Sequence, residues 1–155
     1  MPTVTPEKLA ANDTESGHQQ ALMLALVIER QAGRLLASEW LYHVANGRKR
    51  DIEDAGTLKA EGVKPGILDL CLPVACRGYH GLYIEMKKPA ERSRRGGGVK
   101  PDQLRFMQHL TRHGYLGLVC YHWQEALHYI QWYLKEMEKD NAAPGIPPNP
   151  SYAEA

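Results

Sequence analysis

The stretch "ILDLCLPVACRGYHGLYIEMKK", residues 67–88, places charged side chains inside two short apolar runs. Strand side chains alternate between two faces, so Glu85 and Lys87 lie on one face and their apolar neighbours on the other. If the runs pair as a hairpin, Asp69 of the first run comes beside Glu85 of the second. Neighbouring carboxylates repel each other and are costly to bury ionised, and a divalent cation removes this cost. The stretch therefore predicts two paired strands with a metal site at one end. The strands are expected at about 67–74 and 81–87.

Two simpler interpretations of these charges stay open on this stretch alone. Glu85 and Lys87 could form a solvent-facing strand face, or Lys87 could pair with Asp69 in a structural salt bridge. The surrounding sequence favours a functional interpretation. "GVKPGI" begins just before the first strand, and residues 86–105 carry seven Lys or Arg against two acidic residues. Clustered positive charge beside a metal site suits a polyanionic substrate such as nucleic acid.

The whole chain has the composition of a single folded domain. It has 155 residues, of which 43% are hydrophobic, enough to build a core. Its 19 Lys and Arg against 18 Asp and Glu give a net charge of +1, so affinity for nucleic acid must come from a local cluster. Three cysteines without CxxC spacing argue against a disulfide framework or structural zinc, and two of them are expected in the core. Without an apolar stretch long enough for a membrane or a signal-peptide pattern, we expect a soluble cytoplasmic protein with no membrane partner.

The remaining sequence predicts helices and strands between two loose ends. Apolar residues spaced three and four apart predict helices, and short apolar runs predict strands. The order is a helix at about 15–33, a strand in "EWLYHVAN" closed by Asn46-Gly47, a short charged helix ending at Gly62, the hairpin, the glycine-rich basic loop "KPAERSRRGGGVK", a helix from Pro101 to Gly114, the buried strand "YLGLVCY" and the helix "WQEALHYIQWYLKEMEKD". This order predicts an α/β fold with a mixed sheet flanked by helices on both faces. The ends are a flexible arm at 1–13 and a disordered proline-rich tail at 141–155.

Three segments together resemble the VRR-NUC branch of the PD-(D/E)xK nuclease superfamily, in particular its small stand-alone phage and bacterial members. They are "GILDL", "GLYIEMKKP" and "VKPDQLRFMQHLTRHGYLGLVCY". The pattern of Asp, spacer and Glu-x-Lys is weak alone, but here "KPG" precedes it and a helix that opens with Gln follows it. The combination is far more specific. The resemblance covers about residues 15–135, and it implies a nuclease domain at 14–140 with a restriction-endonuclease-like fold.

The resemblance also implies a role for each matching residue. The implied catalytic residues are Asp69, Glu85, Lys87 and Gln103. The implied ligands of Mg²⁺ or Mn²⁺ are Asp69, Glu85, the backbone carbonyl of Met86 and Glu15. Lys87 would lie near the attacking water, and hard oxygen ligands favour these cations over zinc. Glu15 is equally well explained as an acidic residue in the first turn of a helix. The chain departs from the family in having Leu68 where Pro is usual and in the longer loop "RSRRGGG".

The implied function is a metal-dependent DNA endonuclease that cuts branched DNA. The expected DNA-binding residues are Lys64, Lys88, Arg92, Arg94, Arg95 and Lys100, with the basic loop mobile until DNA binds. A single site in a small chain suggests a homodimer whose two-fold symmetry matches a four-way (Holliday) junction, acting in DNA repair in the cytoplasm of a bacterial or phage-infected cell. The alternatives are a flap or nick nuclease, a non-catalytic DNA-binding module that retains the fold, and a protein-interaction domain that uses the last helix.

Other residues form weaker patterns. His109 and His113 have the i, i+4 spacing of zinc ligands on a helix, but no Glu follows the first His and no third ligand is near, so a solvent-facing helix side is favoured. His43 and Asn46 could reach the site from the end of the first strand. The apolar residues of the last helix cover more than one side, which suggests a dimer contact there or on the first helix, unless all of them are core. They are Trp123, Leu127, Ile130, Tyr133 and Leu134.

Overall fold

The computed structural model describes residues 3–45 and 55–135 of the chain. The strands are β1 (Tyr42–His43), β2 (Leu70–Leu72), β3 (Leu82–Met86) and β4 (Leu116–Cys120). The helices are α1 (Pro6–Ala10), α2 (Glu15–Gln31), α3 (Ala55–Ala60), α4 (Pro101–Arg112) and α5 (Trp123–Lys135). Short 3₁₀ turns lie at Leu36–Trp40, Pro89–Glu91 and Arg95–Gly98. Among these residues no helix has the length and hydropathy that a membrane crossing needs.

The strands form one mixed sheet in the order β1-β2-β3-β4. β1 pairs antiparallel with β2, β2 pairs antiparallel with β3, and β3 pairs parallel with β4. The parallel pair requires a crossover, which α4 provides. Helices cover both faces of this sheet, so the predicted α/β architecture is confirmed.

The predicted hairpin is confirmed, although its strands are shorter than expected. Leu70 lies opposite Ile84 in the β2–β3 register. Between the strands, Cys76 and Tyr79 pair around a tight turn whose central residues, Arg77 and Gly78, have φ of 52° and 80°. Two positive φ values in a two-residue connection are typical of the turns that match the twist of a hairpin.

Two hydrophobic clusters lie on opposite faces of the sheet. The larger cluster packs α2 and α5 against the face that carries Leu70, Ile84 and Met86. The smaller cluster packs α4 against the other face, through Met107 and Leu110. Because β3 is covered on both faces, the Glu85 side chain that it directs toward α4 is buried.

The start of α4 packs tightly against the "KPG" turn. Pro101 occupies the first position of α4, where no amide donor is required, and the Gln103 side chain accepts a hydrogen bond from the Lys100 amide at 2.9 Å. Gly66 has a φ of 84°, and a Cβ there would come 2.5 Å from the Asp102 backbone. Glycine is therefore required at this contact, which joins the segment before β2 to the first turn of α4.

The structure differs from prediction near the N-terminus. The flexible arm expected at 1–13 contains α1, which is capped by Thr5, begins at Pro6 and packs against α2. Pro6 occupies the first position of this helix, where proline is favourable, so it does not break the local structure. Of the strand expected in "EWLYHVAN", only the two residues of β1 form a strand, and a 3₁₀ turn that ends at Trp40 takes up its beginning. Its apparent alternation came from exposed aromatics such as Trp40, which is 62% exposed.

Two more expectations change with the structure. The basic loop is folded into two 3₁₀ turns rather than loose, because the Tyr121 hydroxyl donates to the Gly97 carbonyl at 2.8 Å. The apolar side chains of α5 are core: Trp123, Ile130, Tyr133 and Leu134 are buried, and Leu127 packs against them. Over Trp123–Lys135 the last helix therefore has no spare apolar side for a dimer contact. Asn46, Gly47 and the tail at 141–155 lie outside the described residues.

Candidate active site

The site lies where β3 passes under α4. Glu85 is 3% exposed and Lys87 is 4% exposed, and both leave β3 on the side opposite Ile84 and Met86. The Lys87 amide extends the pairing with β4 by donating to the Cys120 carbonyl at 2.9 Å. These burials exclude a solvent-facing strand face as the explanation of the two charges.

The Glu85 carboxylate is held on one oxygen and has no partner on the other. Oε1 accepts hydrogen bonds from Lys87 Nζ at 2.9 Å and from Gln103 Nε2 of α4. Oε2 is buried and has no hydrogen-bond partner among the described residues. Burial and the charge of Asp69 raise the pKa of Glu85 to about 7, against the opposing effect of Lys87. Lys87 thus forms its salt bridge with Glu85. The alternative interpretation, a structural salt bridge between Lys87 and Asp69, is therefore wrong.

Asp69 lies beside Glu85 because of the hairpin register. Its Oδ2 accepts a hydrogen bond from the Met86 amide at 2.8 Å, and its charge is close enough to act on Glu85. Burial raises the pKa of Asp69, although the Met86 amide and the charge of Lys87 oppose the effect. Two carboxyl groups that repel each other at close range favour a shared proton or a cation between them.

His43 contacts the backbone of this site rather than its carboxylates. Its Nδ1 lies 2.9 Å from the Asp69 carbonyl oxygen, which also accepts a hydrogen bond from the Val44 amide at 2.7 Å. His43 itself is exposed. The residue therefore fixes the chain at Asp69 from the neighbouring strand.

Lys87 keeps its positive charge despite its burial. Burial alone lowers the pKa of this ammonium group, but the hydrogen bond and charge of Glu85, with the charges of Glu15 and Glu91, raise it by more. A permanently charged ammonium group next to two carboxyl groups is the charge arrangement of an electrostatic catalyst for reactions of anions.

Glu15 is close enough to these residues to feel their charges. It is the first residue of α2, whose N-cap Thr14 accepts a hydrogen bond from the Gly17 amide at 3.0 Å. Burial raises the pKa of Glu15, with Lys87 acting in the opposite direction and Glu91 and Asp69 acting in the same direction. The residue as a whole is exposed, although its carboxyl group is partly shielded from water. The carboxylate therefore borders the site from the solvent side.

Sequence reasoning missed two acidic residues that shape this region. Glu91 was counted only as a charge opposing the basic loop, yet it packs over Gly98 and raises the pKa of both Glu15 and Lys87. Asp13 binds the buried His18 at 2.8 Å, and the other ring nitrogen of His18 accepts the Trp123 amide at 3.3 Å. The closeness of Glu91 to Lys87 in the sequence could have indicated that the two charges interact. No local pattern could have indicated the contact between Asp13 and His18.

The predicted DNA-binding residues surround the site but differ in their partners. Lys64, Arg94, Arg95 and Lys100 are exposed, and Lys88 is partly exposed. Arg94 lies 3.6 Å from Glu91. Arg92 binds Glu125 at 2.6 Å and lies over the Tyr121 ring at 4.5 Å from its centre, so it fastens the loop to α5. The structure does not support a zinc site at His109 and His113. Their rings are 4.4 Å apart, but the described residues contain no set of three metal-ligating side chains.

Comparison with solved structures relates this fold and site to a known class of protein. The chain matches a structure described as a VRR_NUC domain protein, with a TM-score of 0.61 and 30% sequence identity over 79% of this chain and 88% of the other. No family model matches the sequence. No curated protein matches it either. The fold is that of the restriction-endonuclease-like α/β nucleases. Within that class, the chain belongs to the VRR-NUC family.

Proposed function

We propose that this chain is an endonuclease that requires Mg²⁺ or Mn²⁺ and hydrolyses phosphodiester bonds in branched DNA. The observation that carries the proposal is the buried Oε2 of Glu85: it has no hydrogen-bond partner in 3–45 or 55–135, its carboxylate pairs with Lys87, and the charge of Asp69 acts on it. A buried polar atom without a partner is unfavourable, so its persistence indicates a group that binds there. Within a nuclease family, a metal ion is the group that matches two acidic oxygens.

The donor set fits a hard divalent cation. Asp69 and Glu85 would supply carboxylate oxygens, with the Met86 carbonyl and Glu15 completing the protein side. Mg²⁺ commonly takes only one or two carboxylates and leaves its other positions to water and phosphate oxygens, so a cage of three ligating side chains is not required. When bound, Mg²⁺ or Mn²⁺ polarises the phosphate and lowers the pKa of water.

The protein's own residues then have distinct roles. Lys87 would orient the attacking water and offset the negative charge that develops on the phosphate, an effect strengthened by its burial. Gln103 would hold Oε1 of Glu85 so that Oε2 stays directed to the ligand side. The Met86 amide, which binds Asp69, would fix that carboxylate at the same time.

We further propose that DNA reaches the site across the exposed basic side chains and that the protein acts as a homodimer on four-way junctions. Lys64, Lys88, Arg94, Arg95 and Lys100 offer positive charge for backbone phosphates. For the dimer contact we choose the second of the two predicted locations, the helix at about 15–33, which is α2: Val27, Ile28, Leu36 and Trp40 are 38% to 62% exposed, and α2 packs against the 3₁₀ turn that carries the last two. We call these four residues the α2 patch.

A cleavage assay on one variant tests the catalytic proposal. Lys87→Met removes the ammonium group and fills its space, so the fold should persist while cleavage of a four-way junction with Mg²⁺ falls by at least about a hundredfold. Lys8→Ala is the control, because Lys8 lies on α1 and binds the Thr3 carbonyl. Normal cutting by folded Lys87→Met would overturn the proposal.

A 5′-flap substrate in parallel distinguishes a junction enzyme from a flap nuclease. Tight binding of DNA without cutting would indicate the non-catalytic module.

A further inference from the structure

A second concave site lies on the α4 side of the sheet, next to the catalytic residues but separate from them. It is a cavity of about 390 Å³, and its walls include three apolar side chains, Pro65, Ile67 and Phe106. Ile67 is two residues before Asp69, and Asp102, also in the lining, directly precedes Gln103. Two segments of the cavity wall thus run directly into residues of the candidate active site.

The cavity combines an aromatic wall with positive charge. Phe106 is partly buried, its ring meets that of Tyr83 edge to face at 5.7 Å between centres, and on the cavity side it stacks beside His109 at 6.2 Å, so the aromatic wall consists of Phe106 and His109. Lys64 and Arg105 line the same cavity, are exposed, and make no ion pair with any other residue of 3–45 and 55–135. Apolar walls with a few polar groups and unpaired cations suit an amphipathic anion better than a purely apolar ligand.

We propose that this cavity binds one unpaired nucleotide of the DNA substrate, with its base against Phe106 and its phosphate at Arg105 and Lys64. A base in a duplex has both faces stacked on its neighbours, so only an unpaired base can present a face to Phe106. The Asp102 carboxylate can accept a hydrogen bond from an exocyclic amino group. The inference rests on the proposed nuclease function and adds what part of the substrate is recognised: a splayed nucleotide at the branch point.

The "KPG" turn gives the cavity a fixed shape. Gly66 contacts the Asp102 backbone more closely than any other residue type would allow, so the Lys64–Ile67 wall is fastened to α4. The cavity is therefore formed before DNA binds, which reduces the ordering cost of capturing a base.

Binding measurements without cleavage test this inference. Fluorescence anisotropy with Ca²⁺ in place of Mg²⁺ compares three duplexes: one fully paired, one with a single unpaired dA, and one with an abasic site at the same position. The wild-type protein should bind the unpaired dA at least about fivefold more tightly than the abasic site, as expected from stacking of one base on an aromatic ring. Equal affinities would overturn the inference, and this comparison needs no variant.

Two variants and a control assign the preference to the cavity. Phe106→Leu should abolish the preference for dA over the abasic site, while Arg105→Ala should weaken binding of both and leave their ratio unchanged. Arg112→Ala is the matched control, since Arg112 is exposed on the same helix outside the cavity. A preference that survives in folded Phe106→Leu would contradict the inference. A protein that shows the preference but never cuts DNA would disprove the nuclease function alone, and one that cuts but ignores the unpaired base would disprove only the cavity's role.

Discussion

The carboxylate of Glu85 joins three parts of the fold at one point. It binds Lys87, which directly follows its own strand, and Gln103 of α4. Asp69, which directly precedes the neighbouring strand β2, acts on it through its charge. Because burial and Asp69 raise the pKa of Glu85 to about 7, a proton occupies this group for much of the time at neutral pH without metal. Cation binding competes with that proton, so the affinity for metal should rise as the pH increases through 7.

A substitution at Asp69 should stabilise the metal-free protein while abolishing cleavage. Asp69→Asn keeps an oxygen for the Met86 amide and removes the repulsion with Glu85, so we expect the free energy of unfolding in EDTA to rise by about 1 kcal/mol, or a few degrees in Tm. Millimolar Mg²⁺ should raise the Tm of the wild-type protein and have little effect on the variant. Thermal melting with and without Mg²⁺ measures both effects.

The control for this experiment is a carboxylate whose pKa is lowered in the folded protein instead of raised. The hydrogen bond from Arg34 lowers the pKa of Glu29, so Glu29→Gln should leave stability in EDTA unchanged or slightly reduced. A Tm of Asp69→Asn below that of the wild-type protein in EDTA would show that the two carboxylates do not strain the empty site.

The sequence alone was enough to predict some contacts of the site but not others. Strand periodicity and the hairpin were enough to bring Asp69 beside Glu85, because both follow from local pattern. The position of Gln103 came only from the family resemblance, since it depends on how α4 crosses the sheet. The contact between His18 and the Trp123 amide joins residues 105 positions apart, and no local pattern could indicate it.

Among the elements, the basic loop shows how polar composition can mislead. Its three glycines and its arginines are typical of a mobile segment, but the described structure has specific ties to β4 and α5 through Tyr121 and Arg92. Gly98 has a φ of 74°, and a Cβ there would come 2.6 Å from the Glu91 carboxylate, so this glycine serves a close contact within the folded loop, which is the opposite of the flexible interpretation. Similarly, α1 was hidden because a helix of five residues has too few positions to show a period.

The loop ties can be tested by proteolysis. Tyr121→Phe removes only the hydroxyl that binds the Gly97 carbonyl, so we expect faster tryptic cleavage at Arg94 and Arg95 and a loss of about 1 kcal/mol in stability. Tyr133→Phe is the matched control, because the Tyr133 hydroxyl donates to the Val74 carbonyl at 2.6 Å, far from the loop in sequence. Mass spectrometry of the fragments gives the sites of cleavage. Equal cleavage of both variants at the loop would mean that the Tyr121 tie does not hold it.

On the scale of the whole molecule, the α2 patch offers exposed apolar side chains for a dimer contact, whereas those of Trp123–Lys135 in α5 are used in the core. Trp40→Glu places a charge in the patch, so it should convert a wild-type dimer to a monomer in sedimentation and replace paired cuts across a four-way junction by single cuts. Val4→Glu is the control, because Val4 is 59% exposed but lies before α1. A wild-type protein that sediments as a monomer at all concentrations would disprove the dimer.

The strand that carries the site is also the most enclosed strand of the sheet. β3 has β2 on one side, β4 on the other and a hydrophobic cluster on each face, so its amides should exchange with solvent more slowly than those of α1 or the loop. Such strands open only when the whole domain unfolds. Partial opening of the edges would therefore leave the geometry of Glu85 and Lys87 intact, and heating should inactivate the protein only at the temperature at which it melts.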